Sequence, residues 1–168
     1  MRKTRIYFGS PLFSEMELMY NKYVVGKLRE VLGDKVEIYL PQENEAINDK
    51  SGYADSIMIA EGDNQYLEDA DILIAVLDGQ VVDVGLASEI GYARARGKRI
   101  IGLYTDTRQG TFGNERKIEA LDVLAESQFS YVNLYTIGLV KKSGFIVNSS
   151  EELIKAVEKN VKQMRGEI

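Results

Sequence analysis

Apolar residues run without interruption through Ile72-Leu73-Ile74-Ala75-Val76-Leu77, the pattern of a strand buried on both faces and hence of a parallel sheet covered by helices. Shorter runs at Arg5-Ile6-Tyr7-Phe8, Val36 to Leu40 and Ile100-Ile101-Gly102-Leu103-Tyr104 predict three further strands. Between them the period becomes helical. Phe13 to Leu32 carries apolar residues at helical spacing and stops at Gly33, Tyr53 to Leu67 reads as a second helix, and a third closes at Gly97-Lys98-Arg99. This alternation predicts an α/β fold, a parallel sheet with helices on both faces.

The remaining segments are less regular. Pro41-Gln42-Glu43-Asn44-Glu45 opens a polar loop that runs to about Gly52, and a loop of that length in a compact domain is often functional. After Thr105 the pattern loosens: Asp106 to Asn114 is polar, Ile118 to Ala125 suits a short helix, and Tyr131-Val132-Asn133-Leu134-Tyr135 suits a strand or a loop. Ser149-Ser150-Glu151-Glu152 caps a terminal helix whose inward stripe is Leu153, Ala156, Val157 and Val161. No repeat, linker or low-complexity tract divides the 168 residues, which are expected to form one domain.

Composition narrows the chemistry. A net charge of −5 argues against a general binder of the nucleic-acid backbone. The chain has no cysteine, which removes disulfides, thiolate metal sites and cysteine nucleophiles, and no histidine, the usual base near neutral pH and the commonest metal ligand. Proton transfer and nucleophilic attack are left to carboxylates, tyrosine, serine or lysine. Met1-Arg2-Lys3-Thr4-Arg5 leads directly into the first strand without the apolar core of a signal peptide, and no segment has membrane-spanning length. A cytoplasmic location without a membrane partner is the default expectation.

The chemistry-bearing stretch is Asp83-Val84-Gly85-Leu86-Ala87-Ser88-Glu89-Ile90-Gly91-Tyr92-Ala93, which follows the longest apolar strand. An open α/β sheet collects ligands at this edge. Glu89 is expected at or within the first turn of the helix, where free backbone N–H groups favour an ionised carboxylate, either as a nucleophile or as a simple capping residue. Asp83, with Gly85 leaving space beside it, suits a turn lying against a small ligand, although a helix-entry aspartate has the same pattern. Asp63, in Glu61-Gly62-Asp63-Asn64, is placed either facing the strand ends or exposed, whereas Glu68, Asp69 and Asp71 read as solvated surface. Tyr7-Phe8-Gly9-Ser10-Pro11 ends the first strand, with Gly9 permitting close approach and Tyr7 offering a phenol, or else serving as a core tyrosine with a bonded hydroxyl. The loop is neither a dinucleotide fingerprint nor a Walker loop.

Ile6-Tyr7-Phe8-Gly9-Ser10, Gly62-Asp63-Asn64 and the Asp83 to Ala93 segment, in this order and spacing, resemble the nucleoside 2-deoxyribosyltransferase family, and Asn133-Leu134 resembles its Asn-Leu pair in the C-terminal third. The resemblance implies a flavodoxin-like sheet and transfer of a 2-deoxyribosyl group between nucleobases with retention. Glu89 matches the nucleophile that forms a covalent glycosyl-enzyme. Asp63 matches the acid and base that serves the nucleobase, Tyr7 the residue that positions the nucleophile, and Asp83 the group that holds the sugar 5′-hydroxyl. Gly9, Ser10, Phe13 and Gly85 fall among the implied substrate contacts. Asn133 matches a residue that completes a neighbouring subunit's site, which implies a homo-oligomer built on dimers, with a hexamer among the forms open to it. The implied partners are deoxyribonucleosides and free nucleobases, with no cofactor and no metal.

Three features depart from the family pattern. The helix from Glu151 to Ile168 runs past the point where several relatives end in a tyrosine whose carboxylate enters the site. Tyr135 stands where relatives commonly have methionine, and Glu45 where the base-contacting loop often has glutamine. Two other functions fit the same residues: a 2′-deoxynucleoside 5′-monophosphate N-glycosidase using Ser10 or Ser88 for the phosphate, and a non-catalytic nucleotide-binding module. Asp83 weighs against the first, because a carboxylate at the 5′ end repels a phosphate dianion.

Overall fold

The computed structural model describes residues 2–45, 53–126 and 131–168. These contain β1 (Thr4–Gly9), α1 (Glu15–Leu32), β2 (Val36–Tyr39), α2 (Ser56–Asp69), β3 (Ile72–Val76), α3 (Val84–Ala95), β4 (Arg99–Leu103), α4 (Glu115–Glu119), α5 (Leu134–Ser143), β5 (Gly144–Val147) and α6 (Ser150–Met164). The strands form one parallel sheet in the order β2-β1-β3-β4-β5. The fold is therefore the flavodoxin-like α/β arrangement that the resemblance implies.

Side chains alternate across the strands and divide the core in two. Ile6, Phe8, Ile72, Ile74, Val76, Ile101 and Leu103 face α1 and α6, where Val24, Val25, Leu28, Leu153, Val157 and Val161 cover them. Tyr7, Leu73, Ala75, Leu77 and Ile100 face the opposite way, against Leu67 of α2, Leu86, Ile90 and Ala93 of α3, and Val140 of α5. β3 is buried throughout, as its unbroken apolar sequence requires.

Each helix starts where a short polar side chain can accept from its free amides. Ser14 and Glu17 form a reciprocal capping box on α1, and Asp55, Asp83, Asn114, Asn133 and Ser149 cap α2 to α6. These caps correct several predicted boundaries. α1 begins at Glu15, leaving Phe13 in the preceding loop, and α2 begins at Ser56 rather than Tyr53. The segment expected to be strand or loop at 131–135 instead enters α5, because Asn133 accepts from the amides of Tyr135 and Thr136. The helix expected over 118–125 is α4 followed by one 3₁₀ turn at Ala120–Asp122. From residue 46 to 52 the predicted polar loop lies outside the described residues.

β5 arises in a stretch with no periodic signal, directly after α5 with no loop between them. Gly144 makes that junction feasible. Its backbone is extended, and a Cβ there would overlap the carbonyl oxygen of Ile100 on β4. Gly144→Ala should therefore push β5 away from β4 and destabilise the protein by about 1–3 kcal/mol, measured as a lower midpoint in denaturant unfolding.

Candidate active site

The β1–α1 connection passes to one face of the sheet and the β3–α3 connection to the other, which opens a crevice where the two adjacent strands end. A cleft of about 350 Å³ lies there, lined by Tyr7, Ser10, Leu12, Phe13, Pro41, Ile59, Asp63, Asp83, Gly85, Leu86 and Glu89. Tyr7 comes from β1, Asp63 from the middle of α2, and Asp83, Gly85 and Glu89 from α3. Three segments far apart in sequence thus bring three carboxylates and one phenol to the same space.

Glu89 does not sit in the first turn of its helix. Asp83 is the cap and the helix begins at Val84, so Glu89 lies in the second turn, beyond the free amides that would hold its charge. Its environment acts in the opposite direction. Burial pushes its pKa up to about 7, the nearby charges of Asp63 and Asp83 add to the rise, and the Tyr7 hydrogen bond opposes it. Tyr7 Oη donates to Glu89 Oε1 at 2.8 Å. The Tyr7 ring is fully buried, so it is both a core residue and a site residue.

Gly9 is needed by the protein itself. A Cβ there would come within 2.7 Å of Leu86 Cδ1 and 2.9 Å of Glu89 Oε2, so the bare backbone lets α3 press Glu89 against the end of β1. Gly85 carries the open space expected of it, since its added Cβ would approach only Asp83 Oδ1, at 3.1 Å. Asp83 is the helix-entry aspartate and also faces the cleft. Its Oδ1 accepts from Leu86 N at 2.9 Å while the residue lines the cleft. Asp63 is half-buried, and that burial raises its pKa. Burial, followed by the charges of Glu89 and Asp63, raises the pKa of Tyr7 far above its ordinary value and keeps the phenol protonated.

A part-buried amide network ties the β1–α1 connection to α1 and to the segment after β2. Asn21 Nδ2 donates to Pro11 O at 2.9 Å and Gln42 Oε1 at 3.1 Å, and Gln42 Nε2 donates to Leu18 O at 3.0 Å. Leu12 and Pro41, chain neighbours of these bonded residues, both line the cleft. Sequence patterning missed Leu12, Pro41, Ile59 and Leu86 as lining residues because an apolar residue facing a cleft has the same signature as one facing the core.

Glu45 lies outside this cleft, in a neighbouring depression with Tyr39, Asn44 and Tyr66. Asn133 and Tyr135 are exposed at the start of α5 and do not line it, and the Asn133 side chain is engaged in capping. Ser88 is exposed and its hydroxyl donates to Val84 O at 3.0 Å, while Ser10 does line the cleft. Among the described residues no cluster suited to a metal ion occurs, and no helix is long and apolar enough to cross a membrane.

Known proteins share this framework. The chain aligns over 95% of its length with 99% of a conserved protein from Enterococcus faecalis V583, at 49% identity and a TM-score of 0.89. A 2-deoxyribosyltransferase from Bacillus psychrosaccharolyticus covers 90% of each chain at 19% identity and a TM-score of 0.60. The Clostridium botulinum CMP N-glycosidase BcmB covers 94% of this chain and 99% of its own at 19% identity and a TM-score of 0.51. At these lower identities the likeness concerns the fold alone. No curated protein matches the chain. The family model described as nucleoside 2-deoxyribosyltransferase, however, matches residues 6–157, from the strand that carries Tyr7 to the last helix. The chain belongs to the nucleoside 2-deoxyribosyltransferase family.

Proposed function

We propose that the protein transfers 2-deoxyribose between nucleobases through a covalent intermediate on Glu89. The observation that carries this reading is the 2.8 Å Tyr7–Glu89 hydrogen bond inside a cleft that also holds Asp63 and Asp83. Glu89, ionised, attacks the anomeric carbon. As the carbon–nitrogen bond breaks, its electron pair goes to the base nitrogen, which takes a proton from Asp63. An incoming base then attacks the same carbon from the vacated face, the ester to Glu89 breaks, and the proton lost by that base passes to Asp63. Two displacements restore the original stereochemistry.

Tyr7 holds one oxygen of Glu89 and leaves the other for attack. Its hydrogen bond also favours the ionised form that the burial of the site disfavours. Asp83 accepts a hydrogen bond from the sugar 5′-hydroxyl, and Ser10, Phe13 and Gly85 form the surrounding contacts, whereas Gly9, expected among them, is buried against Leu86 and Glu89 and does not line the cleft. Glu45, Asn133 and Tyr135 join a site only if a loop shift or a second subunit brings them in, so the oligomeric reading belongs to the same proposal.

The 5′-monophosphate glycosidase has less support. Among the described residues no lysine or arginine lines the cleft, and three carboxylates there oppose a dianion. The binding-module reading leaves a half-buried, tyrosine-bonded carboxylate without a task.

Incubating thymidine with adenine should yield deoxyadenosine and thymine, resolved by chromatography. Thymine released at the same rate without adenine, together with free deoxyribose, would identify a hydrolase. Glu89→Ala should lower turnover by about three orders of magnitude or more while preserving nucleoside binding in calorimetry, and near-normal turnover would remove Glu89 as the nucleophile.

The pH dependence has a defined sign. Glu89 must be ionised to attack, so with its pKa at about 7 kcat/KM should fall as the pH drops below that value. Tyr7→Phe removes the hydrogen bond that lowers this pKa, so the acid limb should move to higher pH along with a loss in rate. Asp83→Asn removes a like charge, so the limb should move to lower pH. The same substitution should weaken use of thymidine and improve relative use of thymidine 5′-monophosphate, read as the ratio of the two kcat/KM values.

A further inference from the structure

Helix α2 carries Asp63 but is lightly attached. Leu67 is its only buried side chain among the described residues, and Ile57 and Met58 in its first turn are more than half exposed. The bonds that pin it gather at its C-terminal end. Tyr92 Oη and Arg96 reach Glu68 at 2.5 and 2.8 Å, Lys98 Nζ reaches Glu68 O, and Arg5 approaches Asp69 at 3.5 Å. The middle of the helix, where Asp63 sits, has a different attachment.

Tyr66 lies three residues after Asp63 and so shares its helix face. Its ring stacks on Tyr39 of β2, with centroids 3.6 Å apart and planes at 11°. Tyr39 pairs in register with Tyr7 on β1, and their rings stand 5.2 Å apart at 45°. Asn44 Nδ2 donates to Tyr39 Oη at 3.1 Å and so fixes the far edge of the middle ring. Tyr7 in turn holds Glu89. A column of three rings thus connects the helix bearing one catalytic carboxylate to the strand that holds the other.

We propose that Tyr66 is a positioning residue for Asp63: through its stack on Tyr39, and the contact of Tyr39 with Tyr7, it sets how far the α2 carboxylate stands from Glu89. This rests on the functional reading above, because it assigns Asp63 the proton transfer to the leaving base. The ring faces carry the contact, so phenylalanine at position 66 preserves it and alanine or leucine does not. Loss of the stack leaves α2 anchored at its C-terminal end, with Asp63 displaced from the base. The Tyr7–Glu89 pair, held by β1 and α3, stays in place.

A donor that needs no acid separates these effects. Thymidine requires protonation of its leaving base, whereas a nitrophenyl 2-deoxyriboside releases an anion unaided. Tyr66→Ala and Tyr66→Leu should lower kcat on thymidine by about 10- to 100-fold, change kcat on the nitrophenyl donor by less than about 3-fold, and leave Tyr66→Phe near wild type on both. Equal losses on the two donors, or no loss on thymidine, would overturn the assignment. If the wild-type protein turned over neither donor, the functional reading would fail first and the role of Tyr66 with it.

Discussion

A carboxylate pressed against the end of a buried strand loses much of its hydration, and the Tyr7–Glu89 hydrogen bond compensates part of that loss. Such a bond to a charged group contributes on the order of 1.5–3 kcal/mol, less than full burial of the charge would cost. Glu89 is consequently left with a pKa near neutrality, where it is neither a comfortable anion nor a permanently neutral acid. The surrounding structure serves this compromise. Gly9 lets α3 approach, Asp83 starts α3 at the right residue, and the register of β1 directs Tyr7 to the α3 side of the sheet.

The distribution of charge follows from the same constraint. Positive side chains are found in pairs on the outside, as with Arg29 and Glu43 or Lys35 and Glu167, where exposure makes each pair worth little. None lines the cleft among the described residues. A cation there would lower the pKa of Glu89 and attract phosphate. Burial raises the pKa values of both Glu89 and Asp63, and no described cation in the lining offsets that rise.

The two carboxylates are also held with different firmness. Glu89 projects from α3, whose Leu86, Ile90 and Ala93 are buried in the core. Asp63 projects from α2, which buries a single leucine and leaves an apolar first turn exposed. Residues of one cleft can therefore differ in mobility, with Glu89 built into the core and Asp63 placed on a looser element.

Much of this was legible in the sequence, because hydrophobic period and capping residues are local. The unbroken run at Ile72 to Leu77 demanded a strand buried on both faces, and the Asp83 motif placed Glu89 at the strand ends. Other features depended on contacts between distant segments. Asn133 looks the same in a loop as at a helix start, and only the amides above it decide between them. β5 exists because Gly144 can lie against Ile100, a fit that four residues cannot announce. Glu89 was expected to be ionised by a helix terminus, but one further turn of helix moved it from free amides to a buried tyrosine. Residue type and spacing thus determined which groups reach the site, while their protonation and mutual positions were decided by tertiary structure, since desolvation and charge proximity are properties of the space they share.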